Sequence, residues 1–245
     1  TSQNNTKAAN DPDNLPEEYE IKDLSIFLTD IDSNVITGKF IHQVFTSIDN
    51  TTVMNYKLVD LPIDPAMITY KNVYVIANCT DEVSLNAVQT LDDLKALKTT
   101  PVATDAGLSV SDGLPMYGQL LNVNLSNTSP GSPVLVTLIR TCANLRITLI
   151  FTDSLWTGTD NELMIENIAP YTYYIRNSTF AFDPSELLSY SRQGLNQIDA
   201  QHYRKVVYLY ESSQMPFIHI YTTIGGEEKE YILKTNLPLP ARNNL

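Results

Sequence analysis

Three histidines, His42, His202 and His219, are the side chains best suited to proton transfer or metal binding in this chain. They lie far apart in sequence and fall on or near different predicted strands, so no Ser/His/Asp arrangement can be built from their spacing. Each reads as a structural or surface histidine. Asp30-Ile31-Asp32-Ser33-Asn34 begins like a calcium loop, because oxygen-bearing side chains recur at alternate positions. The sixth place lacks the glycine that the sharp turn requires, and the twelfth is Ile41 where a bidentate Glu is needed, so an ordinary turn is expected. The two cysteines, Cys79 and Cys142, have no nearby His or second Cys with which to hold a metal. Each reads as a small buried hydrophobe; a bridge between them stays open, and they do not decide the redox compartment. Trp156, followed by Thr157-Gly158-Thr159-Asp160, and the set Tyr171, Tyr173 and Tyr174 could stack on a sugar at an exposed tip. Packing is the plainer role for strand aromatics. Glu227, Glu228 and Glu230 beside Gly225-Gly226 read as a solvated hairpin, and the Asn-x-Ser/Thr matches carry little weight in an Asn/Thr-rich chain. No catalytic set, metal or cofactor is expected, and the chain does not read as an enzyme.

Composition narrows the partners. The 245 residues carry a formal net charge of -12, with 43% hydrophobic and 18% charged residues. Nucleic acid is excluded as a partner, since phosphate binding needs a basic footprint that sixteen scattered Lys and Arg do not supply. No apolar run approaches the roughly 20 residues of a membrane helix, and no signal peptide is present, so the chain is expected to be a mature or trimmed product.

The positioning elements are organised around Val134 to Phe151. Its odd positions, Leu135 through Phe151, keep one apolar parity, as a strand with one face on a core does. The even face turns polar at Arg140, Asn144 and Arg146, which predicts water or a carboxylate there. A strand of this length would run about 60 Å, far beyond the usual 17 to 20 Å. It must either bend at a bulge near Thr141 to Asn144 or begin in one domain and finish in another, and the second is preferred.

Upstream, residues 1–20 hold little to bury and read as a mobile arm. Alternation predicts strands at Leu24 to Leu28, Phe40 to Ile48 and Thr52 to Val59, and a continuous β-rich run at Tyr70 to Asn78 suits a sheet centre. Thr90 with Asp93 three residues on, and Leu91, Leu94 and Leu97 on one face, predict a short helix from Leu91 to Lys98. A strand at Met116 to Leu125 precedes the Ser, Asn, Pro and Gly of Ser126 to Pro133, where a domain boundary is placed. Downstream, strands are predicted at Leu163 to Ile168, Tyr171 to Phe182, Arg204 to Glu211, Phe217 to Thr223 and Glu230 to Leu239. Pro184 opens a helical turn, and polar, aperiodic Ser191 to His202 reads as a long loop. Gly225-Gly226 is the clearest hairpin, and Pro238 and Pro240 mark the last strand as an edge. The expected organisation is an arm at 1–20, an N-terminal β-sandwich at 21–126 and a C-terminal one at 127–245.

Several pieces then line up. Tyr74-Val75-Ile76-Ala77-Asn78, the Thr90 to Lys98 helix, Gly113-Leu114-Pro115-Met116-Tyr117-Gly118, Leu138-Ile139-Arg140-Thr141-Cys142-Ala143-Asn144-Leu145 and Tyr208-Leu209-Tyr210-Glu211 follow in order over nearly the whole chain. This series resembles the fimbrillin family, the FimA-like shaft and accessory subunits of the type V pili of Bacteroidales bacteria. The positions that carry the likeness are Ala77, Asn78, Arg140, Ala143, Tyr208, Tyr210 and Glu211. The resemblance implies a mainly β chain of two tandem transthyretin-like β-sandwich domains with a few short helices. It also implies export as a lipoprotein precursor to the outer membrane, and a place in a cell-surface fimbria that supports adhesion.

In such proteins a protease cuts after a basic residue near the N-terminus and removes the first strand, and a neighbour's C-terminal strand fills the groove. Lys7 is similar in place to that cut site, although no Arg precedes Arg140. The partners implied are other pilin subunits, a processing protease and host or bacterial surface ligands. The chain stops at Leu245, where the family's final strands would begin, so the donor strand is expected to be missing. A sandwich short of one strand exposes unpaired N–H and C=O groups beside an apolar slot, which is a template for another chain. The alternative is a monomeric surface adhesin or carbohydrate-binding module using Trp156.

Overall fold

The computed structural model describes residues 20–43, 47–49, 56–65, 68–102, 108, 113–129, 132–152, 160–176, 184–212 and 214–234. The chain is mainly β. In order it forms β1 (Leu24–Asp30), β2 (Ile36–Gln43), β3 (Ser47–Asp49), β4 (Tyr56–Leu58), β5 (Tyr70–Ala77), α1 (Glu82–Ala87), α2 (Leu91–Ala96), β6 (Met116–Asn124) and β7 (Ile139–Arg140). There follow β8 (Cys142–Ile150), β9 (Glu162–Ile168), β10 (Leu188–Gly194), β11 (Asn196–Gln197), β12 (His202–Tyr210), β13 (Phe217–Ile224) and β14 (Glu227–Lys234). All strand pairings are antiparallel among the described residues. Two compact units emerge, one drawn from Thr1–Thr100, Ser109–Thr141 and Tyr173–Ser178, the other from Pro101–Leu108, Cys142–Thr172 and Thr179–Leu245.

The first unit is built on a five-stranded sheet in the order β2-β1-β5-β6-β7. Its central strand β5 is buried from Lys71 to Ala77 because both faces are covered. Alternation sorts the side chains. Phe27, Tyr74 and Ile76 face α1, α2 and Tyr174, joining Leu85, Val88, Leu94 and Leu97 in one core. Leu24, Ile26, Leu28, Val73, Val75, Ala77 and Met116 face the other way into a second core.

The helices form for local reasons. Thr90 Oγ1 accepts from the Asp93 N–H at 3.1 Å, and the Asp93 carboxylate accepts from the Thr90 N–H at 2.8 Å, a reciprocal capping box. Asp81 caps α1 by accepting from the Ser84 N–H at 3.0 Å.

The second unit holds two sheets, β10-β9-β13-β14 and β11-β12-β8. The hydroxyl of buried Tyr190, on β10, donates to the Tyr208 carbonyl on β12 at 3.4 Å and so ties them together. Burial pushes the Tyr190 phenol well above its usual range. The β13–β14 hairpin turns at Gly225 and Gly226, both with positive φ, as a two-residue primed turn requires.

Three expectations need correction. The apolar parity of the central stretch does not run unbroken. Val134, Val136 and Leu138 pack on the second core, while Leu135 is 76% and Ile139 44% exposed. The reason is that 133–138 is an extended strap laid over the sheet face, whereas β8 lies within a sheet. The switch occurs at buried Thr141, whose N–H and hydroxyl both donate to the Pro115 carbonyl. Arg140 is accordingly buried, not wet. Residues 171–176 form no strand, only an isolated bridge of Tyr173 to Lys98, while the remainder of that predicted strand is outside the described residues. Half of the long loop expected at Ser191 to His202 lies in β10 and β11, whose exposed polar residues give a solvated strand no apolar period.

Candidate strand-docking edges and the Asn78 junction

Asn78 ends β5 with φ of 58°, a left-handed conformation that Asn tolerates. Its Oδ1 accepts from the Lys22 N–H at 2.8 Å, and its Nδ2 donates to the carbonyls of Glu20 and Leu114 at 2.9 and 2.8 Å. One side chain therefore fastens the entry to β1 and the 113–114 turn. Gly113 is needed beside it: its φ is positive, and an added Cβ would stand 2.6 Å from Asn78 Nδ2. The Asn78 N–H donates to the Asp23 carbonyl at 3.2 Å, and the Cys79 N–H to the Asp23 carboxylate at 3.3 Å. Burial raises the Asp23 carboxyl above its ordinary value, a rise that the Cys79 N–H partly offsets. His42 Nε2 lies 2.9 Å from the Cys79 carbonyl oxygen, and the Tyr174 hydroxyl donates to the Asn78 carbonyl at 3.3 Å. Cys79 is free and buried, and burial raises its thiol pKa, so the group is inert. This end of the first unit is saturated with hydrogen bonds.

The opposite condition holds at β6. Strand β7 pairs with it only at Met116 and Tyr117. Among the described residues the remaining seven of its nine residues have no ladder partner on that border, and Leu121 there is 54% exposed. Beside this border, the second core is roofed by two extended segments, 59–63 and 133–138. Among the described residues neither makes a ladder hydrogen bond; the one backbone bond within them joins Ile63 to Leu61. The strap crosses β6 over Gly118, where a Cβ would collide with the Thr137 carbonyl oxygen. The floor of this core is buried, so the apolar surface is roofed while the backbone of the roof makes no ladder among the described residues.

A second open border belongs to β14, the terminal strand of the second unit's four-stranded sheet. Its Tyr231, Ile232 and Leu233 are 48%, 52% and 42% exposed. The strand is held from behind by a polar ladder. His219 Nδ1 lies 2.8 Å from Glu230 Oε1, the Tyr221 hydroxyl donates to the same oxygen at 3.0 Å, and both hold the Glu230 carboxyl below its usual range. His219 Nε2 stands 3.3 Å from Glu166 Oε2, an ion-pair distance whose angle does not make a hydrogen bond. Arg192 lies over the Tyr221 ring at 3.4 Å and pairs with Glu228 at 2.9 Å.

The residues singled out in the sequence do not converge on one site. Ala77 and Asn78 sit at the end of β5, and Arg140 on β7 stands opposite Met116. Ala143 on β8 stands opposite Leu209, Tyr208 opposite Asn144, and Tyr210 opposite Cys142. Glu211 follows β12, half-buried. Most of these are buried and carry packing or staples. Lys7 and Trp156 lie outside the described residues. His202 binds Asp199 at 2.7 Å in an exposed turn, far in sequence from the other histidines. Among the described residues no His, Cys, Asp and Glu group could hold a metal, and no helix is long and apolar enough to cross a membrane. Sequence reasoning placed the last strand at an edge, as β14 is, but missed the open border of β6. The break in alternation at Leu121 was the available signal.

A sequence model described as "Major fimbrial subunit protein (FimA)" matches residues 1–142. No curated protein matches the chain by sequence. Among solved structures, a candidate cell adhesion protein from Parabacteroides distasonis superposes with a TM-score of 0.60 at 14% identity, covering 94% of this chain and 78% of that one. The fimbrial anchor protein Mfa2 from Porphyromonas gingivalis gives a TM-score of 0.45 at 11% identity, covering 87% and 74%. The first of these supports the fold.

Proposed function

Because the chain belongs to the major fimbrial subunit protein (FimA) family, we propose that it is a structural subunit of a cell-surface fimbria that supports adhesion and joins its neighbours by strand addition. On this reading other fimbrial subunits are its partners. Export through a lipoprotein precursor to the outer membrane and trimming after Lys7 by a protease precede assembly. The observation that carries strand addition is the unpaired border of β6 beside a roof with no ladder bonds.

The physical argument follows from that geometry. The strap 133–138 places Val134, Val136 and Leu138 on the second core with the alternation of a strand, yet forms no ladder among the described residues. A strand with the same alternation arriving beside β6 would instead extend the sheet in its own plane, add main-chain hydrogen bonds along the open border and cover apolar surface at the margin of the second core. Each such bond contributes about 1 kcal/mol net, and the mode is the familiar addition of an extended segment to an open sheet edge.

The test is direct. A peptide of alternating apolar residues from the C-terminus of a cognate subunit should raise the melting temperature by about 4 °C or more at saturation. It should also protect amides of residues 118–124 from hydrogen exchange. A saturating peptide that shifts neither quantity sinks the strand-addition reading. Antibody labelling along filaments at the cell surface tests the fimbrial role separately from the joint.

A further inference from the structure

We infer that Asn72 sets where an added strand stops on β6, by pinning a bulge at Leu121 and Asn122 beyond which the border presents no regular ladder; this rests on the strand-addition reading and gives the incoming strand a register and a length. In an antiparallel sheet the N–H and C=O of one residue point to the same neighbour, and those of the next residue point to the other. The Leu114 carbonyl accepts from Asn78 on the β5 side, and the Pro115 carbonyl accepts from Thr141 on the β7 side. Even-numbered residues therefore face β5 as far as Leu120, which stands opposite Val73, and odd-numbered ones face outward. Tyr117 meets Ile139 of β7, so the outward positions beyond β7 begin with Gln119 and Leu121.

The parity then changes. Val123 stands opposite Lys71, so Leu121 and Asn122 together span the one position opposite Asn72. Past this bulge the Leu125 N–H donates to the Thr69 carbonyl at 3.1 Å, so odd-numbered residues now face β5 and the next outward position is Asn124. Outward positions thus lie two residues apart from Tyr117 to Leu121 and three apart from Leu121 to Asn124. A regular strand has a period of two. One laid along Gln119 and Leu121 brings its next pairing groups against Val123, whose own groups face away, and the ladder ends there.

Asn72 holds the offset in place. Its side chain is buried, and its Oδ1 accepts from the Asn122 N–H at 3.0 Å, which turns that N–H inward and away from the border. Its Nδ2 donates to the Ile31 carbonyl at 3.2 Å and lies 3.3 Å from Thr29 Oγ1 and 3.4 Å from the Asp30 carbonyl. Asn122 itself has φ of 57°, the left-handed conformation that Asn tolerates. The incoming strand is therefore short, and its side chain opposite Leu120 falls on the face of Val73, at the margin of the second core. That position selects an apolar residue.

Amide exchange resolved by residue reads this out. In the free chain the Asn122 amide should exchange about tenfold or more slowly than those of Gln119 and Leu121, and Asn72→Ala should remove the difference. Saturation with the same cognate-subunit peptide should slow Gln119 and Leu121 about tenfold or more and leave Asn124 at its free rate. Deleting Asn122 restores the period of two, so protection should run on to Asn124 and the peptide should bind about fivefold tighter. Asn122→Gly keeps a residue suited to positive φ and should leave the stop where it is. An Asn122 amide as fast as that of Gln119 overturns the inference, as does a deletion variant whose protection still ends at Leu121. Protection of Asn124 in the parent chain overturns the stop and leaves strand addition standing. A peptide that slows none of these amides removes both.

Discussion

The two faces of the first unit's sheet are covered in different ways. One lies under α1 and α2, whose N-terminal ends are capped by side chains and whose Leu85 and Leu94 are fully buried. The other lies under the straps 59–63 and 133–138, whose apolar residues are partly buried and which make no ladder bonds among the described residues. The two covers therefore differ in how deeply their apolar side chains are buried and in where their backbone hydrogen bonds go. A helix satisfies its own amides, so the helical face is finished. An extended strap does not, so its face stays open to a chain that brings a ladder.

Substitutions can break or sharpen this contrast. Leu94→Ala on the helical face should cost the most, about 3 kcal/mol from lost burial and a cavity that neighbouring strands cannot collapse. Urea unfolding measures it, and a loss under 1 kcal/mol would mean that the helical side is not a closed core.

Asn78→Ala should cost about 2 to 3 kcal/mol, because three backbone groups lose their partner and Ala pays for positive φ. Its signature is local. Trypsin should then cut after Lys22, a bond that stays intact in the parent chain.

Gly118→Ala should cost about 1 to 2 kcal/mol by lifting the strap from β6. Hydrogen exchange should quicken at 133–138 and leave α1 and α2 unchanged. Equal quickening on both faces would erase the distinction drawn between them.

Thr90→Ala removes one cap and should cost about 1 kcal/mol. The smallest effect is that of acid. The Thr90 hydrogen bonds hold the Asp93 carboxyl below its ordinary value, so its contribution is present above the unfolded-state pKa and lost as pH falls through the folded one. The stability gap between the parent chain and Asp93→Asn should therefore close on acidification below about pH 4. A gap that persists there would assign the cap to geometry instead of charge.

Much of this was legible in the residues. The run Tyr70 to Asn78, apolar on both faces, specified a central strand, and β5 is central. Thr90 with Asp93 specified a capped helix and Gly225-Gly226 a hairpin, since caps and primed turns depend on neighbours a few positions away. The first helix went unseen, because Glu82–Ala87 is six residues long and buries a single leucine. The strand predicted from Tyr171 failed for a different reason: Tyr174 is buried, but in the core of the first unit and not in a ladder. A buried aromatic reports that a core exists, without saying whose.

Local chemistry, then, was settled by the sequence: which stretches alternate, where turns fall, and that the motif series carries a family likeness. Only the tertiary structure decided that Val134 to Leu138 lies across a sheet while Cys142 to Ile150 lies within one, and that β7 covers just two residues of the β6 border. Alternation records which side chains are buried and is the same for a strap and for a strand. Pairing depends on which distant backbone arrives alongside, and no periodicity in one segment encodes that.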